Sequence, residues 1–541
     1  MNETEFNLLY EKWIAVLDED GRTREVSLTE LFEQAHRLRG LAGELAVQDA
    51  AVLRMLLAVL YAVYMRRDAE GRPAPLRDGD EAAARWFSLW RRGKFDMEAI
   101  GAYLKGYEDR FYLFHPTRPF YQAPITKGTE YSATKLNGLL SESRNKPRLF
   151  TAVGGRNREH MDYAAATRWL LYINAYDDTS AKPSERGVGL PSSGAGWLGK
   201  IGFICFRGRN LFETLMLNLV LTDDNDLPFP DGRAVWELDE PRTEERVNIP
   251  LPRSPLELLT LQSRRILLKR DAAGVTGYLL LGGDIVAREN AFIEQMTVWR
   301  FDKEKKWVPR RHDPARTMWR DYSSFLIKEM DYGQEEKKES EGRYREPGVV
   351  RWVSNLFDHE DLSYSTVTLA IAGVKYGNND FFVDDLVQDD LSVNAGLLAT
   401  ANDEWNVRIG RAVRRTDDCV SALGRFSGDL LKNNGVSDKG DKKALSETAA
   451  IVRAQAYYAL DQPFRRWLQA VDPETDDREV RIREWFHTMQ HVILGEGRQM
   501  LLDAGEKALV GRDLKNNAMV AYGKFRGTVY KICGESNNEQ K

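Results

Sequence analysis

Two patterns of apolar residues divide the chain. From about residue 400 onward the spacing is helical. Trp405, Ile409, Val413, Val420, Leu423, Phe426 and Leu430 recur at intervals of three, four or seven, which puts them on one face of a helix. Ala518, Tyr522, Phe525, Val529 and Ile532 repeat the pattern near the end. Two further amphipathic stretches, 444–470 and 478–502, lie between them. Pro463 is expected to break the first unless Asp461 caps a fresh helix there. The polar run 433–443 reads as an inter-helix loop. Four helices with one apolar stripe each predict a four-helix bundle.

The first 390 residues or so mix helical and strand patterns between Gly- and Pro-bearing turns. Ser27 or Thr29 can cap a helix that begins ahead of Leu31-Phe32. Gly277-Tyr278-Leu279-Leu280-Leu281 and Ile201-Gly202-Phe203-Ile204-Cys205-Phe206 are short, apolar and bounded by glycine, as strands are. The apolar run 55–65 is too short to span a bilayer and reads as a buried helix. The charged stretch 333–346 reads as a solvated loop. The fold class expected is therefore α+β: a large mixed domain over 1–390, then the bundle over 391–541.

Composition narrows the function classes. With 541 residues, 43% hydrophobic and 29% charged, the chain has ample length for a core and an ordinary soluble balance. The acidic start Met1-Asn2-Glu3-Thr4-Glu5 lacks the pattern of a signal peptide, so a cytoplasmic protein without membrane attachment is expected. Cys205, Cys419 and Cys533 stand far apart with no CxxC pair, so neither a disulfide framework nor a zinc ribbon is supported. A net charge of −5 argues against a coat for nucleic acid, since phosphate neutralisation needs surplus Lys and Arg. Any nucleic-acid contact must rest on where charge is placed.

Candidate chemistry is sparse. Gly194-Ala195-Gly196-Trp197-Leu198-Gly199 matches GxGxxG, but a dinucleotide site needs a strand before and a helix after it, and here Pro191-Ser192-Ser193 precedes and a strand-like run follows. No cofactor is expected. His487 and His491 share a helix face, yet Thr488 stands where a zinc protease needs Glu, so no metal site is expected either. Asp384, Asp385, Asp389 and Asp390 could hold Mg²⁺ in a metal-dependent nuclease, with 385 and 389 on one face of a helix; a solvated helix face is the simpler reading. Arg408, Arg411 and Arg415, at i, i+3 and i+7, line one side of the first bundle helix beside Arg414. Lys303, Lys305, Lys306, Arg310, Arg311, Arg316 and Arg320 crowd a stretch with Trp307 and Trp319. Either group can track a phosphate backbone or simply face solvent.

Several segments in order resemble the CasA family, the large subunit of the type I-E CRISPR complex Cascade. They are Asn7-Leu8-Leu9 with Trp13-Ile14-Ala15-Val16, Phe111-Tyr112-Leu113-Phe114-His115-Pro116 with Pro119-Phe120-Tyr121-Gln122, the run from Arg207-Gly208-Arg209-Asn210 to Leu219, and Tyr376-Gly377-Asn378-Asn379-Asp380. The helical C-terminal region completes the set. The resemblance implies a non-catalytic subunit that sits with the backbone, small and handle-binding subunits at the crRNA 5′ handle. It implies recognition of a protospacer-adjacent motif (PAM) in double-stranded DNA, the start of strand separation toward an R-loop, and recruitment of a helicase-nuclease. Carried over by position, the glycine loop that approaches the minor groove falls on Gly187, Val188, Gly189 and Leu190, and the wedge on Asn378, Asn379 and Asp380. The lysine finger aligns at Gln295, a departure that leaves this contact neutral or moves it to Lys303 or Lys305. The loop anchored near the crRNA handle falls on Phe150, Thr151 and Ala152.

Overall fold

The computed structural model describes residues 3–139, 159–179, 194–327, 343–359, 362, 364–437, 441–511 and 513–534. The assignments to 150–152 and 187–190 lie outside the described residues. The chain divides into two compact units, Met1–Pro314 with Asp331–Leu356 and Thr368–Asp390, and Ala315–Met330 with Phe357–Val367 and Leu391–Lys541. Two segments upstream of residue 390 thus join the C-terminal unit.

The first unit is built around the helix Ala46–Tyr64, buried along nearly its whole length. It starts nine residues before the apolar run read from the sequence, and it is the one helix among the described residues long and apolar enough to cross a membrane. Here 89% of its apolar window is buried in the protein itself. Its interior cation, Arg54, pairs with Glu294 at 2.8 Å, and this pairing makes a charge on a core helix tolerable. Earlier in the chain Ser27, rather than Thr29, caps the helix Leu28–Gln34 by accepting from Glu30 N at 3.1 Å.

Among the small sheets of this unit are two of three strands. The strands Arg264–Asp271 and Gly274–Gly282 pair antiparallel, and Thr129–Ser132 adds to the second. In the other, the strand Thr366–Tyr376 lies between Phe203–Arg207 and Val383–Asn394, with Ala370 opposite Cys205. The runs around 201–206 and 277–281 are therefore strands, as their composition predicts. The end of the stretch 333–346 is strand rather than loop, since Tyr344–Arg345 pairs with Trp299–Phe301.

In the second unit four long helices, Asp403–Asn433, Lys442–Gln469, Arg478–Leu502 and Ala518–Cys533, pack on one another. The stripe from Trp405 to Leu430 is buried throughout, and Phe426 stacks on Phe525 at 5.1 Å between centroids. Pro463 does not break its helix. Asp461 is occupied as an acceptor for Trp319 Nε1 (3.0 Å) and Arg465 Nε, and so does not start a new one. Leu460, Phe464 and Leu468, all buried, hold both sides of the proline on one face of a continuous helix, so tertiary packing overrides the local penalty.

Candidate nucleic-acid interface

The helix Tyr163–Tyr176 begins at Asp162, whose side chain accepts from Ala165 N at 2.7 Å. It ends where Asp177 turns extended, and the chain then runs through Asp178 and Thr179 beside the hairpin formed by Thr366–Tyr376 and Val383–Asn394. Tyr376 Oη donates to Tyr176 O at 2.5 Å. Thr179 donates twice, from N to Asp380 O at 3.0 Å and from Oγ1 to Asn379 O at 2.7 Å. The hairpin tip is thereby bonded to the last described residue before segment 180–193, which carries the expected glycine loop.

The tip is internally fixed. Asp380 N donates to Gly377 O at 2.9 Å, and Gly377 N donates to Phe382 O at 2.8 Å. Asn379 and Asp380 both adopt positive φ, 53° and 58°, a conformation that Asn and Asp tolerate better than other residues with a Cβ. This is the local reason for an Asn-Asn-Asp sequence at the turn. Arg311 grips the Asp380 carboxylate with both Nη atoms at 2.9 Å and lies over the Tyr376 ring at 5.2 Å. A carboxylate that would repel phosphate is thus neutralised by a fork-shaped pair.

Arg264 holds both ends of segment 180–193. Fully buried, it donates from Nε to Asp177 Oδ2 at 2.5 Å, and from Nη2 to Asp178 O at 2.7 Å and to Gly194 O at 2.8 Å. Lys200 lies close to Gly194, and burial, reinforced by Arg264, Arg288 and Arg311, brings its pKa down to about 8. The cations nearest the hairpin tip are matched by carboxylates, Arg264 by Asp177 and Arg311 by Asp380. The glycine motif at 194–199 takes part in this packing. Its last glycine, Gly199, leaves room for the Tyr376 hydroxyl, which a Cβ there would meet at 2.2 Å. The second half of the motif forms the helix Trp197–Lys200, a single turn.

Other sequence candidates are placed differently. Gln295 is buried, 7% exposed, and its Nε2 donates to Phe292 O at 2.7 Å, so it is a core residue rather than a projecting finger. Lys303 and Lys305 are exposed in the turn between Trp299–Phe301 and Trp307–Pro309. Arg316 and Arg320 leave that basic crowd for the second unit, where both bond Asp417. Residues 384–390 lie on a strand, not a helix, which corrects the face assignment. At about 3.3 Å per residue Asp384 and Asp390 are about 20 Å apart along it. Asp384 faces Lys375 and Asp390 faces Arg207, and among the described residues no three His, Cys, Asp or Glu side chains are grouped to hold a metal. His487 and His491 are exposed on the bundle surface. In the arginine row Arg408 is tied to Glu404 and Glu479, while Arg411 and Arg415 are exposed, the latter over Phe486 at 5.2 Å.

Thr179, Arg264 and the Arg311–Asp380 pair are the contacts that sequence reasoning missed. Arg264-Arg265 at the head of an apolar strand was a usable signal, because buried arginines require carboxylates. Nothing local links Thr179 to a turn 200 residues away.

The family model for the CRISPR-associated protein Cse1 matches residues 7–495. The chain belongs to the Cse1 family. A CasA/Cse1 protein of Thermus thermophilus is 26% identical over 488 residues, which cover 87% of this chain and 88% of that one. The crystal structure of Thermobifida fusca Cse1 superposes with a TM-score of 0.82 at 30% identity, covering 98% of both chains. A chain of a CRISPR RNA-guided surveillance complex shares the fold at a TM-score of 0.68 and 19% identity, covering 97% of this chain and 99% of that one. The mixed fold and the C-terminal helices are thus those of Cse1 structures.

Proposed function

We propose that this Cse1-family chain is the large, non-catalytic subunit of a Cascade-type surveillance complex, and that it reads the PAM in double-stranded DNA and starts strand separation. It assembles with backbone, small and handle-binding subunits and a crRNA, with 150–152 near the handle, and it recruits the helicase-nuclease. The observation that carries the reading is the bonding of Thr179 to Asn379 and Asp380. It ties Thr179, the residue that precedes the segment holding 187–190, to the hairpin tip, which supports a joint role for a groove-reading loop and a wedge.

The chemistry suits the task. Backbone rich in glycine can enter a minor groove about 6 Å wide, where readout is mainly A·T against G·C. Separating a stacked step costs on the order of 1.4 kcal/mol, so a wedge and a few phosphate contacts suffice to nucleate opening before guide pairing compensates. A metal-dependent nuclease built on 384–390 is not favoured, because the strand spreads those carboxylates.

Replacing Asn378 and Asn379 together with alanine is expected to lower R-loop yield on a PAM-bearing duplex while the complex still assembles. Unchanged yield in an electrophoretic R-loop assay would remove the wedge assignment. Arg411 and Arg415 are proposed phosphate contacts, and Arg408 only if it releases its two glutamates. Substituting Arg411 and Arg415 with alanine should reduce the log–log salt slope of DNA binding by about 0.9 for each lost contact. A slope equal to that of the parent complex would show that the row faces solvent or protein.

A further inference from the structure

Two phenylalanines follow the hairpin turn, and they are treated oppositely. Phe382 folds back onto the turn, and a Cβ at Gly377 would lie 2.1 Å from its ring, so glycine is what lets the ring seat there. Phe381, its neighbour, is 50% exposed. A single exposed aromatic is ordinary on a protein surface. This one stands on a turn whose backbone is bonded at Gly377, Asn379 and Asp380, and whose acidic member is neutralised by Arg311. An apolar ring is therefore presented on a stiff, charge-compensated support, the arrangement that base stacking requires. Such a support also keeps the ordering cost of insertion low, because the backbone is already fixed.

We propose that Phe381 is the stacking element of the hairpin: its ring inserts at the duplex step next to the PAM and covers the base exposed when the first pair opens. The inference rests on the reading of the hairpin as a wedge, and it adds which side chain stabilises the opened state. Apolar side chains inserted between base steps unstack and kink duplexes. Stacking on an aromatic ring accepts any base, because every base has a π-face. That tolerance is needed beside a PAM, where the first target base varies. The amide of Asn379 offers hydrogen bonds but little area to cover a base, so it can hold a strand edge while the ring fills the gap.

The test uses the assembled complex with a crRNA and a PAM duplex carrying 2-aminopurine at the first target position, followed by stopped-flow fluorescence. Phe381→Ala should slow opening about tenfold, within the range for losing one base–aromatic stack, and Phe381→Trp should keep the parent rate. On a duplex whose first two target pairs are already mismatched, Phe381→Ala should match the parent. If Phe381→Ala opens at the parent rate while the Asn378→Ala, Asn379→Ala variant is slow, the wedge reading stands and the stacking role is overturned. If neither variant is slow, both fall. Equal slowing of Phe381→Ala on the mismatched duplex would also overturn the stacking role, because the ring would then serve binding and not opening.

Discussion

Replacing Arg264 with alanine is expected to destabilise the first unit by about 3–5 kcal/mol, the usual cost of leaving one partner of a buried ion pair alone. Arg264 is 0% exposed and Asp177 5%, so the carboxylate would lose a buried ionic partner. The loss is more than electrostatic. The same guanidinium bonds Ser263 O, Asp178 O and Gly194 O, carbonyls that alanine cannot satisfy. Lysine keeps the charge but not the planar fork, so Arg264→Lys should recover only part of the loss. Urea unfolding followed by tryptophan fluorescence measures this, and an unmoved midpoint would show that the clamp is not structural. Because Arg264 bonds the chain on both sides of 180–193, the lysine variant should also bind a PAM duplex more weakly at temperatures where it is folded.

The second large effect is expected at Glu294. Its carboxylate, 1% exposed, accepts from Arg54 Nη1 at 2.8 Å, Trp197 Nε1 at 2.6 Å and Met296 N at 3.0 Å. Glu294→Ala leaves a buried cation, an indole N–H and an amide without their acceptor, and should again cost about 3–5 kcal/mol. The sign of the double variant discriminates the cause. If the penalty arises from an uncompensated charge, Arg54→Met with Glu294→Leu should be more stable than Glu294→Ala alone, since apolar replacement of both partners is often close to neutral. A double variant as unstable as the sum of Arg54→Met and Glu294→Leu made singly would point instead to lost packing. A double-mutant cycle in urea provides the comparison.

Much of the architecture was legible because it is written in periodicity. The stripe from Trp405 to Leu430 is a face of one helix whatever surrounds it, and the runs at 201–206 and 277–281 show strand composition bounded by glycine. Readings failed where a distant partner decided the outcome. Pro463 stays inside a helix because the residues on either side of it are buried in one face. The carboxylates at 384–390, read as a helix face through 385 and 389, lie on a strand: Val387, Leu391 and Val393, all buried, stand at even spacing, and the strand pairs with Thr366–Tyr376. Gln295 could be aligned with a finger, yet its neighbours bury it. The candidate site shows the same division. The turn Asn378-Asn379-Asp380 was visible as a polar tip. What neutralises Asp380, and what fastens the tip to Thr179, depends on residues 69 and 200 positions away.

The central claim is that the hairpin tip meets the duplex at its junction with the PAM. A photo-crosslinking residue at Asn379, in the fully assembled complex with crRNA and a labelled PAM duplex, measures this directly. The account predicts crosslinks to the first target base pair beside the PAM, and their loss when the PAM is changed. Crosslinks confined to crRNA, to protein, or to DNA far from the PAM would contradict it.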